Sequence, residues 1–253
     1  MHEIAARVER HYRFSKSELF RLSMTAFVAA FCLTLSEGWG FFTFVKEQSA
    51  LGYLLNLVFV FAIAWVSLFI HFSAQKIVGL KLGYVSTYEY WPLGLILSVM
   101  ISFLSFGFIP LFFTGSLVVD VNKKLRIGRF RYGIMQKDIG IMAFSGLLAT
   151  MLAVLVAMAV YLPAQNPFLF SIIAVNLLIG LFSLIAIPTF AKTGGGTSGL
   201  YLLIASRWVF VMVATFFLVF SALALIAKLF SLIIALVLAI LAAVIYYRTY
   251  ESL

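Results

Sequence analysis

The stretch IHFSAQKIVGLKLG, residues 70–83, closes a long apolar run and decides how the chain is read. The run behind it, residues 52–75, is long enough as a helix to cross a bilayer core of about 30 Å, which takes roughly 20 apolar residues. Lys76 and Lys81 end it and mark its cytoplasmic side. His71 then lies in the cytoplasmic half of a membrane span. Gln75 stands one helical turn further on, on the same face.

Working outward, the composition agrees with that reading. The 253 residues are 64% hydrophobic and 11% charged, with a mean hydropathy of +1.12. Soluble domains are roughly 45–50% apolar and 25% charged. The sequence therefore predicts an all-α polytopic membrane protein. The net charge of +9 sits in short loops between apolar runs, which speaks for orientation and anionic lipid at the cytoplasmic face rather than nucleic acid. No cleavable signal is read at the start, because the first residues are polar and basic. The single Cys32 lies inside an apolar segment and supports neither a disulfide framework nor a zinc-cysteine site.

Apolar runs predict spans near 19–36, 52–75, 139–162, 167–190, 201–226 and 229–246, with a further apolar run at 92–113. Charge decides how that further run is placed. If 92–113 enters and leaves on one side, the cytoplasmic segments hold sixteen of the 18 basic residues. These are Arg7, Arg10, Arg13, Lys16 and Arg21, then Lys76 and Lys81. The six from Lys123 to Lys137 follow, and then Lys192, Arg207 and Arg248. Only Lys46 and Lys228 remain outside. If it spans, the later loops invert and the asymmetry vanishes. The positive-inside rule selects six spans with both termini cytoplasmic and a re-entrant hairpin at 92–113. Pro92, Gly94, Gly107 and Pro110 suit such a broken element. The organisation is a cytoplasmic N-terminal segment 1–18, one transmembrane domain 19–246 and a cytoplasmic tail 247–253. The N-terminal segment reads either as a short interfacial helix or as a basic tail. No internal repeat is evident, which disfavours inverted-repeat transporters.

Few residues can carry chemistry. In a His-Glu-x-x-His helix, two imidazoles one turn apart hold zinc and the glutamate activates the bound water. Here His71 is followed by Phe72, which accepts no proton, and by Gln75, a poor zinc ligand. His2 and His11 lie in the N-terminal segment. None of the nine acids is central in a span, and ionisable groups there are the usual mark of proteases and pumps. Gly196-Thr197-Ser198-Gly199 forms a GxSG string, but no histidine follows position 71 to serve as its base. That loop also lacks the Gly-Lys-Ser/Thr ending of a phosphate cradle. It reads best as a connection between two helices.

Several segments in order carry a resemblance. They are FSKSELFRL (14–22), HFSAQKIVGLKLGY (71–84), YEYWPLGLILSVM (88–100), GIMAFSGLLATML (140–152) and VNLLIGLFSLIAIPTFAKTGGG (175–196). Together the chain resembles an archaeal member of the site-2 protease family of intramembrane zinc metalloproteases, over residues 14 to about 210. The resemblance implies that family's membrane fold, including its re-entrant hairpin. It also implies a catalytic helix at 71–75, with His71 at the first-histidine position. Phe72 then replaces the catalytic glutamate and Gln75 the second histidine. Ala191 replaces the third ligand, an aspartate. Thr150 stands where the family keeps an asparagine, Leu147 where it keeps a proline, and Ser183 and Ala186 replace another such pair. A lone His71 cannot hold zinc. The bland reading of His71 is a histidine hydrogen-bonded inside the bundle, to Gln75 or Thr150. Phe72 reads as core packing.

The leading expectation is therefore a catalytically inactive, site-2-protease-like protein with no cofactor. It would bind transmembrane partners as a scaffold subunit or regulator in an archaeal cell membrane. The alternatives are an active zinc metalloprotease with atypical ligands, and a transporter or lipid-binding protein reusing the old cavity.

Overall fold

A computed structural model describes residues 8–9, 11–35, 50–121, 135–189, 195–227 and 230–251. Its helices are α1 (Lys16–Leu35), α2 (Ala50–Leu82), α3 (Pro92–Leu104), α4 (Gln136–Ala164), α5 (Pro167–Ser183), α6 (Ser198–Ala205), α7 (Arg207–Ala227) and α8 (Phe230–Tyr246). Four short strands accompany them: β1 (Tyr84–Glu89), β2 (Ser116–Val121), β3 (Pro188–Thr189) and β4 (Gly195–Gly196). Among the described residues, five helical segments are long and apolar enough to cross a membrane: Lys16–Leu35, Ala50–Leu82, Gln136–Pro163, Arg207–Ala224 and Phe230–Tyr250.

The structure differs from the sequence expectation at four places. The run 167–190 yields a helix of only 17 residues, about 26 Å long at 1.5 Å per residue. It stops at Ser183 because the chain turns extended toward Pro188, whose ring disfavours helix in the residue before it. The run 201–226 is broken at Ser206, whose φ of −164° is extended, so that α6 and α7 are separate helices. The helical membrane class expected from the sequence holds, with one addition: β1 and β2 form an antiparallel ladder from Tyr84↔Val121 to Glu89↔Ser116. In β1, Tyr84, Ser86 and Tyr88 point inward on alternate positions, the two-residue period of a strand. Lastly, α2 runs 33 residues, about 50 Å, so one end must extend beyond a bilayer core of about 30 Å.

The run 92–113 leaves from and returns to one place. Because Glu89 and Ser116 are paired across the ladder, residues 90–115 form an excursion closed at its base. Its outward limb, α3, has Pro92 in its first turn, where no backbone N–H is missed. Phe106 N–H donates to the Phe103 carbonyl at 3.0 Å and Gly107 N–H to the Ser102 carbonyl at 2.8 Å, closing the helix with a Schellman turn. Phe106 adopts φ +50° there, a position that glycine usually fills. On the return limb Phe113 N–H donates to Ser98 Oγ at 3.1 Å, and the Phe113 ring meets Trp91 edge-on at 5.1 Å. The tip is apolar and bare, with Phe106 96% exposed.

The N-terminus of α1 is fixed by one carboxylate. Ser15 and Glu18 form a capping box: Glu18 N–H donates to Ser15 Oγ at 3.2 Å, and Ser15 N–H to Glu18 Oε2 at 2.7 Å. Glu18 Oε1 also accepts from Lys76 Nζ at 2.6 Å and from Tyr88 N–H at 2.8 Å. Glu18 thus joins α1, α2 and β1. Lys76 donates in addition to the Arg13 carbonyl at 3.1 Å and lies 4.0 Å from the centre of the Phe14 ring. Both partners of this ion pair are buried. At the other end of the ladder, Tyr84 donates to Asp138 Oδ2 at 2.7 Å and holds the first turn of α4.

Candidate functional site

The helices α2 and α4 face each other in antiparallel register along three successive turns. His71 meets Thr150, Gln75 meets Gly146 and Gly79 meets Met142, each step being four residues on both helices. Positions four apart share a helix face, so this seam is one continuous stripe. Gly146 makes the approach possible. A Cβ there would lie 2.3 Å from Gln75 Nε2 and 2.7 Å from Gln75 Cγ.

Within the seam the hydrogen bonds form a directed chain. Thr150 Oγ1 donates to the Gly146 carbonyl at 2.9 Å, and a hydroxyl has only one proton. The 2.8 Å contact between His71 Nδ1 and Thr150 Oγ1 must therefore be donated by the imidazole. That places the ring proton on Nδ1 and leaves Nε2 as an acceptor. Gln75 Nε2 fills the role, donating to His71 Nε2 at 2.9 Å and to Ser198 Oγ at 3.0 Å. Every donor and acceptor of the imidazole is spent inside the protein. His71 and Thr150 have no exposed surface, and Gln75 is 4% exposed.

Ser198 joins the site from a different direction. It opens α6, whose first turn is capped by Thr197 accepting from Leu200 N–H. Gly199 presses on the Leu184 backbone so closely that a Cβ would lie 2.0 Å from the Leu184 carbonyl oxygen. The GxSG string thus supplies a helix start and a partner for Gln75. The amide stands between Ser198 and His71, and Ser198 is not paired with the imidazole.

The other sequence-derived positions fall as follows. Phe72 is 1% exposed and packs its ring 4.5 Å from Tyr88 and edge-on to His71 at 5.0 Å, filling its space with hydrocarbon. Leu147 is core, and Ser183 is buried with its hydroxyl on the Gly180 carbonyl at 2.9 Å. Ala191 lies outside the described residues. Tyr88, which sequence reading passed over, is fully buried with its hydroxyl donating to the Thr114 carbonyl at 2.8 Å and 2.7 Å from Thr25 Oγ1. Burial pushes its phenol well above the usual tyrosine range.

Zinc, which the family resemblance implies, does not fit the side chains at 71–75 and 150. Zinc binds thiolates, imidazole lone pairs and carboxylates. The His71 lone pair is taken by an amide N–H, Phe72 offers no donor atom, Gln75 turns its N–H groups inward, and Thr150 is a neutral hydroxyl. Among the described residues no three of His, Cys, Asp and Glu come together. The fold and site define a helical integral membrane protein with a closed polar seam. No protein-family description, curated protein or solved structure matches the chain.

Proposed function

We propose that this chain is a non-catalytic, site-2-protease-like membrane protein. In this reading it works as a binding or scaffold subunit, or as a regulator, for transmembrane partners. The observation that carries the reading is the use of both nitrogens of the fully buried His71 by Gln75 and Thr150. A working metal or acid–base centre keeps an open position for substrate or water, and this one is filled. The fully used imidazole serves cohesion between α2 and α4.

The excursion 90–115 supports the topology with six spans. Its two ends meet at Glu89 and Ser116, so both limbs start on one side, and its apolar tip suits immersion in hydrocarbon. The short helix α5 serves as the remaining span, and both termini lie with the basic loops on the cytoplasmic side of the cell membrane. What such a molecule offers a partner is its lipid-facing surface, where Val66, Leu152 and Leu241 are among the exposed apolar side chains.

The test is gentle purification of the full chain from its native membranes, followed by identification of what stays bound. The expected result is a defined complex with at least one other membrane protein. Recovery as a lone monomer at native abundance overturns the scaffold reading.

A further inference from the structure

An apolar cavity of about 200 Å³ lies between α4, α7 and α8, on the face of α4 turned away from the His71 seam. Its floor is buried: Leu147 is 1% exposed, Phe217 3% and Ala239 1%. Its mouth is not, because Leu148 and Leu236 at the rim are 46% and 48% exposed. An apolar cavity of about 150 Å³ in another protein is large enough to take up benzene, so this one accepts a short length of hydrocarbon. A transmembrane helix, about 10–12 Å across with its side chains, is too thick for it.

The charge above the cavity identifies the rest of the occupant. Lys137 in the first turn of α4 precedes Phe144, Leu148 and Met151 by 7, 11 and 14 residues, which sets all four on one helix face. It stands about 10 Å along the axis from Phe144. Arg207 begins α7 at the same end, since Gly140 of α4 packs against Ala205 just before it, but it precedes Met212 and Phe216 by 5 and 9 residues and so lies on the other face of α7. Both cations are exposed and neither has an ion-pair or hydrogen-bond partner among the described residues.

We propose that the cavity is a lipid site, holding part of one acyl chain of an anionic phospholipid whose phosphate is met by Lys137. The spans that line it place its mouth in the hydrocarbon of the bilayer, where lipid chains are the molecules at hand. The inference needs only the membrane-embedded class of the protein, so its failure would leave the reading of the His71 seam untouched.

The experiment uses the full chain in nanodiscs of phosphatidylcholine and phosphatidylglycerol, with a photoactivatable diazirine in one acyl chain of each lipid in turn at the same molar fraction. Adducts are located by peptide mass spectrometry. The expected result is adducts concentrated on the α4 and α7 peptides around Met151 and Met212, and lost when Leu148→Phe and Leu236→Phe close the rim. Labelled phosphatidylglycerol is expected to exceed labelled phosphatidylcholine at these peptides about fivefold, a preference that Lys137→Gln removes. Lys137→Gln lies on an exposed surface and leaves the packing intact. Adducts spread evenly over all exposed spans, or unaffected by the rim substitutions, overturn the proposal. Equal labelling by the two lipids overturns the anionic assignment.

Discussion

Gln75 Nε2 sits 2.9 Å from His71 Nε2 and 3.0 Å from Ser198 Oγ, so one amide group closes the imidazole and ties α2 to α6. Replacing it with a leucine of similar size leaves a buried imidazole acceptor and a buried serine hydroxyl unpaired. Gln75→Leu is expected to lower stability by about 1–3 kcal/mol, the usual cost of an unsatisfied buried polar group. Thermal unfolding in a mild detergent measures it, and an unchanged midpoint would show that the chain of hydrogen bonds contributes nothing.

Gly146 and Gln75 are energetically coupled, because a Cβ at 146 would lie 2.3 Å from the amide nitrogen. Gly146→Ala is expected to destabilise the wild type but to be tolerated far better beside Gln75→Ala. The double-mutant cycle should return an interaction of about 0.5–3 kcal/mol, the range for residues in direct contact. Additive effects would mean that α2 and α4 do not meet at this turn.

The buried pair Glu18–Lys76 joins the N-terminus of α1 to α2. Lys76→Met alone strands the carboxylate, and such a change typically costs about 3–5 kcal/mol. Lys76→Met with Glu18→Gln removes both charges and is expected to recover much of that loss. Limited proteolysis of the N-terminal segment reports the same event, since Lys76 also holds the Arg13 carbonyl.

Tyr88 sets an alkaline limit on stability. Its phenol ionises well above the ordinary value because the neutral form is buried, so the folded state holds its proton more tightly than the unfolded state does. The stability this confers is complete below about pH 10 and is lost as pH rises further through the folded-state value. Absorbance near 295 nm should show a tyrosine fraction, Tyr88 among it, that ionises only at high pH as the protein unfolds. In Tyr88→Phe that late step should be smaller by one tyrosine.

Much of this architecture was legible in the sequence, and the misses have physical reasons. Apolar runs marked the long helices because a bilayer demands length and uniform hydrophobicity. His71 and Gln75 were legible as partners because four residues make one turn. Ser198 was not, since 123 residues separate it from Gln75 and only the placement of α6 unites them. The strand at 84–89 did carry a signal, with the strand-favouring Tyr84, Val85, Thr87 and Tyr88 in six residues, but an apolar-run reading weighs length over such local preference. The break at Ser206 carries none. Neither proline nor glycine occurs between Leu200 and Leu229, so packing of α6 against α4 sets the interruption.

The excursion 90–115 can be tested in intact membranes with single cysteines. Lys81→Cys and Asp120→Cys flank it, and both positions are exposed. Both are expected to react with a membrane-impermeant maleimide from the same side, while Phe106→Cys at the tip stays shielded. Labelling of 81 and 120 from opposite sides would mean that the run 92–113 crosses the membrane.

The most direct test of the closed seam is the zinc content of the full-length protein purified without chelators, beside the His71→Ala variant. Zinc far below one equivalent, and the same in both, is the expected result. Near-stoichiometric zinc that disappears in His71→Ala would contradict the account, because it would require the imidazole to have left Gln75 for a metal.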